Sequence, residues 1–248
     1  MSGTDERRER RRRISIFVPA YNEVGQLEGA IADIAVAADA ALEDYEILLV
    51  DDGSTDGTGP LADRLAERRP KLRVIHQQSN QGIAAGYARA VAAARFEYFG
   101  FLPADREIEP GSIKTILAAA GTAEIVAPYH GNPQARQAYR RVLTFVSTGL
   151  VNRLFGLRMR YFQGPCIYPT ELARALPKTA GGFYFLTQML VHALCAGHSC
   201  VEVPLMHQDR AHGRSKAVSW RNIARALRTI AGLWWAIRIR GQRGTKRE

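Results

Sequence analysis

The hydrophobic pattern of the first half of the chain alternates short apolar runs with amphipathic stretches about a dozen residues long. Apolar runs rich in β-branched or aromatic residues predict strands at residues 14–18, 45–50, 72–75, 98–102 and 124–127. Apolar residues at helical spacing predict helices between them, at residues 25–41, 58–69, 82–94 and 113–120. This alternation is typical of βαβ units and therefore of an α/β fold with a mostly parallel sheet flanked by helices.

The second half of the chain has a less regular pattern. Helices are predicted at residues 137–154 and 183–196 and a strand at residues 200–204, with a loop or strand at residues 161–169. Residues 209–216 are polar and predict a loop, after which a helical pattern runs from Trp220 to about Arg240. No apolar run reaches the roughly 20 residues of a membrane-spanning helix, so a protein that works at a membrane would lie on its surface.

Charge is distributed unevenly along the chain. The whole chain has a net charge of +10, but residues 14–128 carry −8, residues 129–207 carry +6 and residues 208–248 carry +9. The basic half favours an anionic partner such as a membrane surface, a nucleic acid or a phosphate group. Nucleic acid is the least favoured of these, because no recognisable reading motif or basic face interleaved with aromatic residues is present.

The amino terminus and the cysteines indicate a compartment. Residues 1–13 contain six arginines and no apolar core, which predicts a disordered basic arm rather than a secretory signal. The three cysteines, Cys166, Cys195 and Cys200, form no CxxC pair. Buried thiols in a reducing cytoplasm are therefore favoured over a disulfide framework or a zinc site.

Polar clusters follow the first four predicted strands, where open α/β sheets bind their ligands. Asp51 and Asp52 follow the second strand, and their carboxylates can accept hydrogen bonds from ribose hydroxyls or from a base N–H. Gly82 opens a helix, where the missing side chain lets a phosphate approach backbone N–H groups. Asp105 and Glu107 follow the fourth strand and could jointly hold a divalent cation that bridges a diphosphate.

Each cluster also has an ordinary structural interpretation. Asn22, Ser54, Thr55 and Asp56 are helix-capping residue types, so the first two clusters could be turns that precede capped helices. The glycines could serve close packing of helix on sheet, and the acids near position 105 could form an acidic helix start. A turn does not require two adjacent carboxylates, so Asp51 and Asp52 favour a ligand site.

Taken together, the clusters resemble the family 2 glycosyltransferases, which have the GT-A fold. The resemblance covers about residues 14–128 through four blocks in order: Pro19-Ala20-Tyr21-Asn22-Glu23, Asp51-Asp52-Gly53-Ser54-Thr55-Asp56, Asn80-Gln81-Gly82, and Asp105. The second half resembles the polyprenyl-phosphate branch, which includes the dolichyl-phosphate mannose synthases, through Gly164, Glu202-Val203-Pro204, Asp209-Arg210, Gly213, Ser215 and Lys216. The resemblance implies a catalytic domain at residues 14–216, with a donor-binding half at 14–128 and an acceptor half at 129–216.

The resemblance implies a nucleotide-sugar donor that binds over the carboxyl ends of the strands. The side chains and backbone expected to contact the nucleotide, its ribose or the rest of the donor are Pro19, Tyr21, Glu23, Asp51, Asp52 and Gly82. Asp105 would be the metal-binding acid of the family's D-x-D motif, and Glu107 a second ligand of Mg²⁺ or Mn²⁺. Two positions depart from the family pattern: Pro103 replaces the first acid of D-x-D, and Tyr161 stands where relatives often have an acid.

The implied acceptor is a polyprenyl phosphate such as undecaprenyl phosphate. This phosphate is already an oxyanion near neutral pH, so it needs cations for positioning rather than a strong general base. The residues expected around it are Arg136, Arg140, Arg210, Arg214, Ser215 and Lys216. Asp105, Arg210 and Lys216 are the residues expected to act in catalysis, in a single displacement that inverts the anomeric carbon. A metal role for the nearby His207 and His212 is disfavoured, because no carboxylate lies at a fixed spacing from them.

The predicted helix at residues 217–240 has one apolar stripe with arginines largely off it. The stripe consists of Trp220, Ile223, Leu227, Ile230, Trp234 and Ile237. A basic amphipathic helix of this kind lies on a membrane surface or packs on its own domain. A polyprenyl acceptor favours the membrane, where the basic arm at residues 1–13 and the basic tail at residues 241–248 would add attraction to anionic lipids.

The sequence therefore predicts an inverting glycosyltransferase that moves a sugar from a UDP- or GDP-sugar to a polyprenyl phosphate. The expected location is peripheral, on the inner face of the cytoplasmic membrane. Two alternatives stay open. One is the same fold acting on another lipid-linked or soluble glycan acceptor, and the other is a non-catalytic nucleotide-sugar-binding relative, which the residues Pro103 and Tyr161 favour.

Overall fold

The computed structural model describes residues 12–208, 230–235 and 237 of the chain. The strands are β1 (Arg13–Ala20), β2 (Asp44–Asp51), β3 (Leu72–His76), β4 (Tyr98–Phe101), β5 (Ile125–His130), β6 (Ile167–Pro169) and β7 (Cys200–Leu205). The helices are α1 (Leu27–Ala41), α2 (Thr58–Arg68), α3 (Ile83–Ala93), α4 (Pro110–Ala118), α5 (Ala138–Phe155), α6 (Thr170–Ala175) and α7 (Tyr184–Cys195). A short 3-10 turn, Pro133–Ala135, precedes α5.

The seven strands form one sheet in the order β3-β2-β1-β4-β6-β5-β7. The short β6 runs antiparallel to its neighbours β4 and β5, and the other pairs are parallel. Strands β1 to β5 and β7 therefore point the same way and end at one edge of the sheet, here called the carboxyl edge. The predicted α/β class with a mostly parallel sheet is confirmed.

The central strands are buried on both faces, as parallel sheets require. In β1, Ile16 packs on one side with α1, α2 and α4, whereas Phe17 packs on the other with α3 and α7. Because successive side chains point to opposite faces of a strand, the apolar run of β1 supplies both cores at once. The sheet order reverses between β1 and β4, which opens a crevice at the carboxyl edge, and this is where such sheets bind ligands.

Several element boundaries differ from the predicted ones. Helix α4 begins at Pro110 rather than at residue 113, because proline is well suited to a first helical turn, where its missing N–H is not needed. Helix α6 was not predicted, since its six residues are too short to show a period. Residues 230–235 are helical, as expected, but most of the predicted helix at residues 217–240 lies outside the described residues.

The apolar stripe predicted for that helix packs inward where it is described. Ile230 and Ile237 are buried in the same core as α3 and α7, together with Leu233. Trp234 and Trp235 are more exposed, at 37% and 46%. For Ile230 and Ile237 the packed alternative therefore holds over the membrane-facing one. Over the described part of the chain, no helix combines the length and apolar character needed to cross a bilayer.

The amino ends of the strands are joined by a buried carboxylate. Glu46 at the start of β2 accepts hydrogen bonds from Ser15 Oγ at 2.8 Å and from the backbone N–H of Arg95 at 2.8 Å. The guanidinium of Arg73 completes the cluster, with Nη1 2.7 Å from the second carboxylate oxygen. Three chain segments therefore depend on one acceptor that is only 5% exposed.

Replacing Glu46 by alanine should lower the free energy of unfolding by about 3 kcal/mol, because the buried Ser15 hydroxyl and two part-buried donors lose their acceptor. Urea denaturation measures this change. Asp44→Ala is the matched control on the same strand, since Asp44 makes an exposed ion pair with Lys71 and its loss should cost less than about 1 kcal/mol. Equal losses in the two variants would show that Glu46 has no special structural role.

Candidate active site

The first two loops of the carboxyl edge are bonded to each other. Asn22 lies in loop 1 (residues 21–26) in the left-handed region, with φ 57°. Its backbone N–H donates to Ser54 Oγ at 3.0 Å, and its side-chain Oδ1 accepts from the N–H of Thr55 at 2.9 Å. Ser54 and Thr55 belong to loop 2 (residues 52–57). These two bonds offset the strain that a non-glycine residue has in this conformation.

The capping roles predicted for Asn22, Ser54 and Thr55 are therefore wrong. Helix α1 is preceded by Gln26 and helix α2 by Gly57, and neither of these two residues makes a side-chain hydrogen bond to its helix. The side chains of Asn22 and Ser54 and the backbone N–H of Thr55 instead join loop 1 to loop 2. Asp56, the remaining residue predicted to cap a helix, does bond to the start of α2, accepting from the N–H of Thr58 at 3.0 Å.

Asp51 is held inside the site by β3 and loop 2. Its carboxylate is 5% exposed and accepts a hydrogen bond from the N–H of Ser54 at 3.1 Å. The other oxygen lies 3.1 Å from Nδ1 of His76, whose Nε2 lies 2.9 Å from Asp63. These neighbours act against the burial of Asp51 and lower the pKa of its carboxyl. The flanking carboxylates, Asp63 first, raise the pKa of His76.

Asp52 connects loop 2 to loop 3 (residues 77–82). One carboxylate oxygen accepts from Gln77 Nε2 and from the N–H of Gln81, both at 2.7 Å, and the other accepts from the N–H of Gly82 at 2.9 Å. Asp52 is 8% exposed. Both predicted donor-binding carboxylates thus have partners within the protein, and they shape the loops around the crevice. Their contact with a nucleotide stays a prediction.

Glycines in loops 2 and 3 have conformations that other residues adopt only with strain. Gly53 has φ +72°, and a Cβ on it would lie 2.7 Å from the backbone of Ser79, so loop 2 and loop 3 approach closely here. Gly82 has φ +85°, and a Cβ on it would meet nothing within 4 Å. The backbone at the start of α3 therefore faces open space, as a phosphate-approach position requires.

Of the loop 1 residues predicted to flank a nucleoside, Tyr21 is the most accessible. Tyr21 is 46% exposed, and Glu23 beside it is half-buried. Pro19 lies within β1, in register with Val50 of β2. The described geometry therefore offers an exposed aromatic ring in the loop that follows β1 at the carboxyl edge.

The turn after β4 carries Asp105 and Glu107. Between them Arg106 has φ 54°, the second non-glycine left-handed residue of the described chain. Asp105 Oδ1 accepts from the N–H of Glu107 at 3.1 Å, and Arg106 Nε lies 2.8 Å from Asp33 Oδ2 on α1. We call residues 105–107 the acidic turn. Its strained conformation is held by an ion pair to α1, so both carboxyl-bearing residues have fixed backbone positions.

Pro103, which replaces the first acid of the family motif, has a packing role. It lines a small groove with Leu102, Ala30 and Ile34. The groove is lined by apolar side chains of α1, α4 and the segment after β4, together with the paired side chains of Asp33 and Arg106. With proline at position 103, the acids of this segment that are predicted to bind a cation are those at positions 105 and 107.

The donor set of the acidic turn fits a divalent cation that also binds a diphosphate. Carboxylate oxygens are hard ligands, and Mg²⁺ is commonly held by one or two carboxylates with phosphates and waters completing its shell. Across the described ranges, no group of three His, Cys, Asp or Glu side chains could hold a metal by itself. A cation at Asp105 and Glu107 would therefore depend on the bound nucleotide for its remaining ligands.

The segment that leads into residues 209–216 is paired with the acidic turn. The N–H of Gln208 donates to the carbonyl of Glu107 at 3.0 Å, and Gln208 Nε2 donates to the carbonyl of Arg106 at 2.7 Å. Ile108 and His207 form a bridge between the same two segments. The predicted acceptor residues Arg210, Arg214, Ser215 and Lys216 lie outside the described residues, and Gln208 is the last described residue before them.

Arg136, predicted to bind the acceptor phosphate, belongs to a cluster with two histidines. Arg136 Nη1 lies 2.6 Å from His130 Nε2, and His130 Nδ1 lies 2.7 Å from His207 Nε2. Asn132 fixes His207 by accepting from its N–H and donating to its carbonyl, both at 2.8 Å. Arg140 follows one turn later at the start of α5. We call Arg136, His130, His207 and Asn132 the histidine cluster.

The electrostatics of the histidine cluster follow from burial next to a cation. Burial, together with Arg136, lowers the pKa of His130 to about 3 and that of His207 to about 4. Both rings are therefore neutral near pH 7. Sequence reasoning missed His130 and Asn132, because they join His207 only when β5 and β7 pair. The one available signal was that His130 ends an apolar run, as Asp51 does.

Comparison with known proteins identifies the class. Residues 15–178 match the model of the family Glycosyl transferase family 2. The chain belongs to this family, and it is a glycosyltransferase with the GT-A architecture. The resemblance predicted from the four loop clusters is confirmed.

Similar curated proteins are transferases that act on polyprenyl phosphates by name. The chain is 26% identical over 221 residues to the undecaprenyl-phosphate mannosyltransferase of Micrococcus luteus, covering 82% of this chain and 87% of that protein. It is 29% identical over 241 residues to the polyprenol monophosphomannose synthase of Mycolicibacterium smegmatis, covering 92% and 88%.

Similar solved structures support the fold. The structure of glucosyl-3-phosphoglycerate synthase from Mycobacterium tuberculosis with uridine diphosphate has a TM-score of 0.68 and 18% identity, covering 96% of this chain and 82% of that one. A structure of the same enzyme with Mn²⁺, uridine diphosphate and phosphoglyceric acid has a TM-score of 0.67. At this identity, the likeness concerns the fold alone.

The link between Asp51 and His76 gives the protein a specific pH dependence. The raised pKa of His76 means that its contribution to stability is complete below the unfolded value of about 6.5 and is lost as pH rises through the folded pKa. The pKa of Asp51 is lowered, so its contribution to stability is complete above the ordinary pKa of 3.8 and is lost only as pH falls below that value. Urea denaturation should therefore show the unfolding free energy of wild type falling relative to His76→Gln between pH 6 and pH 9.

Asp63→Asn is the matched control for this pH dependence, because Asp63 is the larger cause of the raised pKa. Between pH 6 and pH 9, the unfolding free energy of Asp63→Asn should fall less than that of wild type, and so should lie closer to the behaviour of His76→Gln. An unfolding free energy whose pH dependence is the same in wild type and in His76→Gln contradicts the assigned interaction.

Proposed function

We propose that this glycosyltransferase moves a sugar from a nucleotide-sugar donor, a UDP- or GDP-sugar, to a polyprenyl phosphate. The observation that carries the proposal is the pairing of Gln208 with the acidic turn. It holds Gln208, the last described residue before the predicted acceptor segment 209–216, against the turn whose carboxylates are expected to hold the donor's metal. The names of the similar polyprenyl-phosphate transferases support the same acceptor class.

The donor half would bind the nucleotide at the crevice between β1 and β4. Tyr21 offers a ring for the base, the open side of Gly82 leaves room for a phosphate at the start of α3, and the carboxylates of Asp51 and Asp52 keep the loops in place. Asp105 and Glu107 would hold Mg²⁺ or Mn²⁺, which supplies positive charge to the leaving diphosphate. The Arg106–Asp33 ion pair fixes the turn that presents them.

The acceptor half would position the phosphate rather than deprotonate it. Of the residues proposed to contact this phosphate, Arg136 and Arg140 are described in the structure, and Arg210, Arg214, Ser215 and Lys216 are proposed to join them. A phosphate oxyanion is already a nucleophile near neutral pH, so orientation and charge neutralisation supply most of what the reaction needs. A single displacement on the sugar inverts its anomeric carbon.

Purified protein should release nucleoside diphosphate only when donor, Mg²⁺ or Mn²⁺ and undecaprenyl phosphate are all present. A panel of UDP- and GDP-sugars identifies the donor. Asp105→Asn should lower turnover by about 100-fold or more, because the cation loses a charged ligand. Glu109→Gln is the matched control, since Glu109 is an exposed acid on the same segment and does not belong to the site.

The alternatives give different results in the same assay. Turnover without any polyprenyl phosphate would point to another glycan acceptor. Donor binding without turnover under every condition, in a folded protein, would support a non-catalytic relative. Either result contradicts the proposal.

The proposal extends to a peripheral location on an anionic membrane surface, at the inner face of the cytoplasmic membrane. The supporting observation is the outer face of α5, where Phe145 is 80% exposed, Val142 is 60% exposed and Val146 is 58% exposed. Tyr139 and Leu143 extend this apolar face by one turn. Apolar side chains grouped in this way on a solvent-exposed surface are typical of an interaction site.

The charges around α5 suit anionic lipids. Residues 131–170 contain six arginines and no aspartate or glutamate. Arginines flanking an exposed apolar helix face add roughly 1 kcal/mol each when they lie near an anionic membrane surface. The apolar face of α5, rather than the inward-packed Ile230 and Ile237, is therefore the described surface that best fits membrane contact.

A Phe145→Ser/Val142→Ser variant should bind vesicles of phosphatidylglycerol and phosphatidylcholine at least about tenfold more weakly than wild type, because it loses apolar area that would enter the membrane. Cosedimentation measures the binding. Val36→Ser is the matched control, as Val36 is 71% exposed on α1. Equal binding by wild type and the double variant would contradict the assignment of α5.

A further inference from the structure

The guanidinium of Arg136 is oriented by a neutral ring. An arginine has no acceptor, so Nη1 donates and His130 Nε2 accepts along their 2.6 Å contact. A neutral His130 must then carry its proton on Nδ1, which donates to His207 Nε2 at 2.7 Å. The hydrogen bonds run in one direction, from Arg136 through His130 to His207, and this fixes the tautomer of both rings.

No described carboxylate balances the charge of Arg136. Arg106 and Arg73 pair with Asp33 and Glu46, which is the common way to hold an arginine in place. Among the described ion pairs, none includes Arg136, although this side chain is half-buried. A desolvated cation without a partner anion attracts an incoming anion more strongly than a compensated one.

The neighbours of the pair keep it neutral and in place. The ring of Tyr161 lies 4.2 Å from that of His130, centroid to centroid, and Asn132 holds the backbone of His207. The charged or titratable groups around the two rings are Arg136, Arg140 and Tyr161. The lowered pKa values of both histidines agree with neutral rings, because a second positive charge beside Arg136 is unfavourable.

We propose that His130 and His207 are positioning residues that aim the guanidinium of Arg136 at a phosphate without neutralising it. The inference rests on the proposed function only in taking that phosphate to belong to the acceptor. A carboxylate in place of His130 would orient the guanidinium equally well but would compensate its charge. An apolar ring at position 130 would leave the charge of Arg136 uncompensated but would not orient its guanidinium. A neutral amide would orient the guanidinium and also leave its charge uncompensated.

Three substitutions at one position separate these effects. In the transferase assay with undecaprenyl phosphate, His130→Asp and His130→Phe should each raise the acceptor KM by about tenfold, while the donor KM stays unchanged. His130→Asn should stay within about threefold of wild type. His198→Gln is the control, because His198 lies at the opposite end of β7 and pairs with Glu124.

A second measurement does not depend on catalysis. Titration of the folded protein with inorganic phosphate should give the same order of affinity, with wild type and His130→Asn above His130→Asp and His130→Phe. Nitrogen-15 spectra of the histidine rings near pH 6.5 should show His130 neutral and protonated on Nδ1. If His130→Asp fails to fold, the comparison of His130→Phe with His130→Asn still decides the orientation step.

The outcomes separate this inference from the proposed function. Turnover with undecaprenyl phosphate together with equal acceptor KM values for Asp, Asn and wild type at position 130 overturns the inference alone. Absence of turnover, with the predicted order preserved in phosphate binding, overturns the proposed acceptor and supports the inference. Spectra that show a charged His130 in the folded protein near pH 6.5 would also overturn the inference about His130 and His207.

Discussion

The backbone N–H groups of the loops at the carboxyl edge need acceptors, and loop 2 supplies acceptors to both loop 1 and loop 3. Parallel strands leave their connecting loops outside the sheet ladder, where unpaired donors are costly. Ser54 accepts from loop 1, while Asp52 accepts from loop 3. A short block of small polar residues therefore fixes three loops at once, and the crevice between β1 and β4 has a defined shape before any ligand binds.

This dependence explains how far the sequence could predict the site. The Asp51-Asp52-Gly53-Ser54-Thr55-Asp56 block was recognisable because acids after an apolar strand are unusual, and its position at the crevice is as expected. The direction in which its side chains point was not recognisable. Asp52 turns toward Gln77 and Gly82 because the 2.7 Å and 2.9 Å bonds they offer exist only after β2 and β3 pair. The histidine cluster was hidden for the same reason, as it needs β5 beside β7.

The fold itself was more predictable, because strands β1 to β5 show their apolar runs locally. The sequence was least informative where a pattern fitted two environments. The stripe containing Ile230 and Ile237 matches a membrane-facing helix and a packed one equally well, and only contact with the core of α3 and α7 distinguishes them. The exposed face of α5 shows the reverse case, in which an apolar pattern lies on the surface. Its apolar residues resemble a core-facing helix, yet only Val151 and Phe155 of this helix are buried.

The two strained residues of the described chain, Asn22 and Arg106, lie on either side of the crevice. Each is held by groups from another element, Asn22 by loop 2 and Arg106 by Asp33 of α1. Strain that is maintained in this way positions a loop more sharply than a relaxed turn would. The same reasoning applies to Arg136, which is held by an uncharged partner although carboxylates hold other arginines of the protein. A carboxylate is the stronger partner for a cation. Its absence from the described surroundings of Arg136 is therefore best understood as preserving a positive charge for an anion that arrives during the reaction.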